Sequence, residues 1–127
     1  MIELPKNGIV THQYLADNPS VIFVFGDNTF GIGMGGAAKF RHHPQSLGFI
    51  TKRKPDYKDS SYFTPQDYPP VFEKELEKLI THLTNSPQKT FLLSKIGAGL
   101  ANRFGIYESI IIPGILCLDK FTNLIKL

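Results

Sequence analysis

The stretch VIFVFGDNTFGIGMGGAAKF, residues 21 to 40, carries five glycines between positions 26 and 36, directly behind an apolar run and just ahead of an alanine pair. Glycine loses more backbone entropy on folding than any other residue, so such a cluster needs a cause: positive φ, close packing, or a ligand lying against main chain. Residues 21–25 are β-branched or aromatic and are bounded by Asn18-Pro19-Ser20 and Gly26-Asp27-Asn28, which reads as a buried strand between two turns. Residues 36–41 lack helix breakers and read as a short helix. It must stop before Pro44, because the residue ahead of a proline avoids the αR region. The unit is strand, glycine loop, helix.

The same grammar continues downstream. Residues 49–51 are β-prone and precede a long polar loop over residues 52–68, where Thr64-Pro65-Gln66-Asp67 reads as a cap with proline at the first helical position. Over residues 70–84, Phe72, Leu76, Leu79, Ile80 and Leu83 recur at helical spacing, with Glu73, Glu75, Glu77 and Lys78 assigned to the opposite face. Asn85-Ser86-Pro87 ends that helix, and residues 90–94 read as another buried strand. Ile96-Gly97-Ala98-Gly99-Leu100 is a second glycine loop. Residues 106–121 read as a helix kinked at Pro113, and residues 124–127 as a closing edge strand.

Strands alternating with helices predict a single α/β domain over residues 1–127, with three layers: a mostly parallel mixed sheet and helices on both faces. In such sheets ligands sit in the crevice at the carboxyl ends of the strands. Both glycine loops follow strands directly, so both are expected at one rim.

Composition excludes several classes. The 127 residues are 42% hydrophobic and 20% charged, an ordinary globular balance. Cys117 is the only cysteine, which rules out an internal disulfide and suits a reducing, cytoplasmic compartment. Residues 110–118, the longest apolar run, are too short to cross a membrane. A net charge of +3 is mild, and its cations are scattered apart from Lys52, Arg53 and Lys54. Nucleic acid as a partner is thus a minor alternative. His12, His42, His43 and His82 have no acid or cysteine at ligand spacing, and neither a metal nor a cofactor is expected.

Bare backbone N–H groups can wrap phosphate oxygens, and a helix behind them adds the positive end of its dipole. The alternative is that the glycines serve only tight turns and close packing. Gly31-x-Gly33-x-x-Gly36 matches the dinucleotide fingerprint literally, but Gly26-Asp27-Asn28-Thr29-Phe30 separates it from its strand. Asp56, at the nominal ribose distance, follows Pro55 in a loop rather than ending a strand.

An apolar strand ending in Asn28, then Gly31 to Ala38, then a late strand with Ile96-Gly97-Ala98-Gly99-Leu100, is similar to the macrodomain family, which binds ADP-ribose. The resemblance implies that Asn28 bonds the distal ribose. It places Gly26, Gly33, Met34, Gly35, Gly36 and Ala37 against that ribose and the diphosphate, with Ile96, Gly97, Ala98, Gly99 and Leu100 clamping from the other side. It implies ADP-ribose or an ADP-ribosylated substrate as the partner, and hydrolysis of an ADP-ribose linkage or of a terminal phosphate as the activity. The family's adenine-binding aspartate is missing near residues 7–11, and Ala37 and Ala38 stand where some hydrolytic members carry an acid.

Asp27 is the candidate catalytic carboxylate, as general base or nucleophile, or else a turn cap. Lys95 is the candidate second catalytic group, or an electrostatic aid to phosphate. Arg103 is a candidate bidentate phosphate ligand. Lys52, Arg53 and Lys54 are expected to form either a cationic lip or a solvated turn. Tyr57, Tyr62 and Phe63 are candidates to stack on adenine, or to pin the loop to the core. A non-catalytic module that sequesters a nucleotide or reads ADP-ribosylated partners is the rival reading.

Overall fold

Phe23 and Phe25 point to one face of their strand and Ile22 and Val24 to the other, and this alternation organises the molecule. The computed structural model describes residues 2–33 and 36–127, with the side chains of Gly36 and Ala37 left aside. Strands β1 (Val21–Asn28), β2 (Ser46–Lys52), β3 (Thr90–Leu93) and β4 (Leu124–Lys126) form one sheet in the order β2-β1-β3-β4. All three pairings are parallel, so the sheet is wholly parallel where a mixed one was expected. The one antiparallel contact among the described residues is an isolated bridge between Lys52 and Tyr62.

Helical segments cover both faces. On one face Phe23, Phe25 and Leu92 pack with Leu15 and Phe40. These come from helix α1 (His12–Asp17) and the 3-10 turn Gly36–Phe40. On the other face Val24, Phe49, Phe91 and Leu93 pack with Phe72, Leu79, Ile111 and Leu118. These belong to helix α2 (Pro69–Asn85) and to a helical segment spanning residues 107–120. The α/β expectation therefore holds, with helices on both sides of the sheet.

Several local readings change. Helix α1 escaped the periodicity; Thr11 caps it, accepting from the Tyr14 N–H at 3.0 Å. The segment after the glycines is a five-residue 3-10 turn, so it has almost no helix dipole to offer a ligand. Strand β2 is longer than residues 49–51. The Thr64–Asp67 motif closes a turn of its own, with the Thr64 N–H donating to Asp67 Oδ1 at 2.6 Å, and α2 starts later, at Pro69. The helix expected over residues 106–121 does run through Pro113, as residues 107–120. The helix passes it by changing winding, from a π turn (Tyr107–Ile111) to a 3-10 stretch (Ile115–Lys120). Proline offers no N–H to the turn before it, and the altered hydrogen-bond period absorbs that loss.

Glu75 corrects the face assignment of α2. It is only 7% exposed and shares the buried stripe with Phe72, Leu79 and Leu83. The reason is the edge strand beside it. Among the described residues strand β2 has no strand on its outer side, only the Lys52–Tyr62 bridge at its end, and unpaired backbone there would be a template for aggregation. Glu75 Oε1 accepts from the Ile50 N–H at 2.7 Å, the Tyr68 hydroxyl donates to Ile50 O at 2.6 Å, and Lys78 Nζ donates to Gly48 O at 2.7 Å. The Lys78 ammonium also meets Glu75 Oε1 at 2.8 Å. Side chains of α2 and its cap thus replace the missing strand.

Candidate functional site

Since all four strands run the same way, their carboxyl ends share one rim. The chain leaves β1 for β2 on one side and returns to β3 on the other, which makes the β1 terminus a topological switch point, where crevices form. A cleft of about 690 Å³ opens there, within the range of small-molecule sites.

Both glycine loops reach it. Gly26, Asp27, Asn28 and Gly33 line it from the β1 side, and Lys95, Ile96, Gly97, Gly99 and Leu100 from the β3 side. The loops touch: a β-carbon on Gly26 would lie 3.9 Å from the Gly97 nitrogen. Gly97 has φ +76°, a left-handed conformation that favours glycine, and a β-carbon there would run into Ile111. Among the described residues the Gly97 and Gly99 N–H groups have no hydrogen-bond acceptor, while those of Ile96 and Ala98 are satisfied by Ser94 O and Lys95 O at 2.7 and 3.1 Å. Two amides without an acceptor among the described residues therefore belong to one turn that lines the cleft. Unsatisfied donors of this kind are what an anion's oxygens would fill.

The remaining candidates divide. Ala98 and Arg103 do not line the cleft. Arg103 is turned to the long loop, ion-paired with Asp59 at 2.7 Å and donating to Tyr57 O at 3.4 Å, so it fastens that loop instead of reaching into the cleft. Gly36 and Ala37 open the 3-10 turn. Met34 and Gly35 lie outside the described residues. Asn28 is buried, with its Nδ2 donating to Ile32 O at 2.7 Å and its Oδ1 accepting from the Phe30 N–H at 3.0 Å. The side chain thereby folds the first glycine loop.

Asp27 is bound to Arg41, a residue that sequence reasoning missed. The Arg41 guanidinium pairs with Asp27 Oδ1 and also donates to Gly33 O, bridging the strand end to the glycine loop. Asp27 Oδ1 further accepts from the Asn28 N–H at 2.7 Å. The carboxylate lies over Gly48, where a β-carbon would sit 2.9 Å from Oδ2. A cation closing the segment behind a glycine loop was the available signal, but the contact spans 14 residues and only the fold creates it.

The three basic residues form no common lip. Lys52 lines the cleft and donates to Asp56 O at 2.6 Å. Arg53 pairs with Asp67 at 2.6 Å, and Lys54 stands 5.9 Å from the centroid of Phe30. The aromatics divide as well. Tyr62 and Phe63 are buried core, whereas Tyr57 is 69% exposed and lines the cleft. Lys95 is exposed at the opposite wall and has no ion pair or hydrogen bond from its side chain among the described residues. With Asp27 neutralised by Arg41, Lys52 and Lys95 give the cleft a positive balance.

No group of three His, Cys, Asp or Glu side chains among the described residues is placed to hold a metal ion. No helix among them is long and apolar enough to cross a membrane. No curated protein and no solved structure matches the chain. Residues 5–102, which hold every cleft-lining residue named above, match a family of unknown function, DUF7831. The chain is a member of that family.

Proposed function

We propose that the cleft binds ADP-ribose or a closely related nucleotide, its diphosphate held between the two glycine turns. One observation supports the reading: Gly97 and Gly99, whose N–H groups have no acceptor among the described residues, line a cleft that the first glycine loop bounds from the other side. Main-chain donors with no side chain in the way suit phosphate oxygens, and Lys95 and Lys52 supply charge. The likeness to macrodomains in the order of strand, asparagine, glycine loop and late Ile-Gly-x-Gly supports ADP-ribose over a simple phosphate.

Hydrolysis at this site is a second reading, favoured by the presence of Asp27 and Lys95 on one cleft. A water would add to the anomeric carbon of the distal ribose and pass its proton to Asp27, while the bond to the leaving group breaks and that group takes up a proton. The pairing of Asp27 with Arg41 works against a free base, so binding is the primary function and turnover the secondary one.

Calorimetric titration with ADP-ribose, ADP, NAD and AMP tests both. Micromolar ADP-ribose binding, weakened at least tenfold by Lys95→Glu, supports the pocket; no heat with any of the four refutes it. Product release by the wild type that is lost in Asp27→Asn with affinity retained supports hydrolysis. Tight binding with no product assigns the protein to nucleotide sequestration or to reading ADP-ribosylated partners.

A further inference from the structure

We propose that the cleft takes the base of its nucleotide by stacking on Tyr57 and leaves the base edge unread, so that nucleotides sharing one phosphate and ribose pattern bind alike whichever base they carry. The inference rests on the nucleotide reading above and adds its specificity.

Tyr57 is the platform. The residue is 69% exposed although it lines a concave cleft, a place where an aromatic side chain without a ligand gains little from burial. The ring is also held. Lys52 Nζ stands 5.1 Å from its centroid and 4.6 Å from that of Tyr62, with Asp56 O fixing the same ammonium at 2.6 Å. Arg103 holds the Tyr57 carbonyl at 3.4 Å and Asp59 at 2.7 Å. A ring positioned before binding loses less freedom when a ligand arrives. Ile32 and Leu100, 54% and 68% exposed, line the same cleft and add apolar surface for a flat ring.

Among the described residues, the carboxylate and amide side chains at or beside the cleft, the groups best suited to reading a base edge, are committed elsewhere. The Asp56 carboxylate does not line the cleft and is taken by the Ser61 hydroxyl and the Lys58 N–H, which hold it below the usual carboxylate range. Asn28 spends both ends of its amide inside its own loop, and Asp27 is bound to Arg41. Stacking alone tolerates any base, since every base has a π face, whereas a site built to hydrogen-bond a group rejects analogues lacking it by large factors.

The test is calorimetry of the full chain with ADP-ribose, ADP, GDP, UDP and inorganic pyrophosphate, using wild type, Tyr57→Phe and Tyr57→Ala. Tyr57 is exposed, so an unchanged urea midpoint is expected to show that both variants fold. ADP and GDP should bind within about threefold of each other and UDP no more than about tenfold weaker. Tyr57→Ala should weaken all three at least tenfold, Tyr57→Phe should retain them, and pyrophosphate should be indifferent to either change. ADP exceeding GDP by more than tenfold, or ADP unaffected by Tyr57→Ala, overturns the stacking inference while ADP-ribose binding keeps the pocket. If neither ADP-ribose nor any diphosphate nucleotide binds, both fall.

Discussion

Gly26 and Gly97 lie side by side: a β-carbon on the first would stand 3.9 Å from the nitrogen of the second, with the Thr51 side chain against both positions. Strands β1 and β3 are hydrogen-bonded neighbours, so the turns that follow them leave the sheet side by side. The cleft is a consequence of that adjacency.

The conformation of Gly97 should be the least replaceable feature of the second turn. Gly97→Ala imposes left-handed strain of about 1–2 kcal/mol and drives a methyl into Ile111, adding overpacking of about 1–3 kcal/mol. Gly105→Ala, at φ +83° with open space around it, carries strain alone and should lose about 1–2 kcal/mol. Urea unfolding of both variants checks the order, and Ile111→Val should recover part of the Gly97→Ala loss. Equal losses would show that Ile111 does not matter there.

Arg41 should matter more for stability than a surface cation does. Its side chain is 8% exposed and that of Asp27 13%, and removing one member of a buried pair strands the other. Arg41→Ala should cost about 3 kcal/mol in unfolding free energy and raise amide hydrogen exchange around Gly33. Arg41→Lys should restore only part, because an ammonium lacks the guanidinium fork that reaches Asp27 and Gly33 O together.

The edge caps of β2 predict self-association when they are removed. Glu75→Ala frees the Ile50 N–H and leaves Lys78 without its counter-charge, which should cost roughly 1–3 kcal/mol and increase light scattering on mild heating. A variant that loses stability and stays monodisperse would show that α2 shields the edge by bulk alone.

Tyr68 ties stability to alkaline pH. Burial, aided by the nearby Glu75 charge, pushes its hydroxyl well above the ordinary tyrosine range. The folded protein thus holds that proton more tightly than the unfolded chain. The stabilisation is full below pH 10 and is lost as pH rises beyond it. Unfolding midpoints measured from pH 8.5 to 11.5 should fall more steeply for the wild type than for Tyr68→Phe. The variant should already be weaker at pH 8.5, since Ile50 O loses its donor.

What the sequence revealed was largely local. The apolar run ahead of Gly26, the stripe through Phe72, Leu79 and Leu83, and the Ile96 to Leu100 loop each announce an element by composition or spacing, and alternation of strand and helix is enough for the α/β class. Helix α1 was missed because six residues with a single buried leucine carry too little periodicity. Glu75 was misplaced because charge suggested the solvent face, although its spacing from Phe72 and Leu79 put it inward. Arg41 over Asp27, Asp27 over Gly48, and Arg103 on Asp59 are tertiary contacts, and no spacing encodes them. Cleft-lining residues were therefore easiest to find where glycines in the sequence mark a turn after a strand.

The central claim is that one anionic ligand lies between the first glycine loop and the unbonded amides of Gly97 and Gly99, and ¹H–¹⁵N correlation spectra recorded during an ADP-ribose titration test it most directly. The account predicts saturable shifts concentrated at Gly26, Gly33, Gly97 and Gly99, moving together with a single dissociation constant. Shifts confined to one turn, or scattered over surface lysines without saturation, would contradict it.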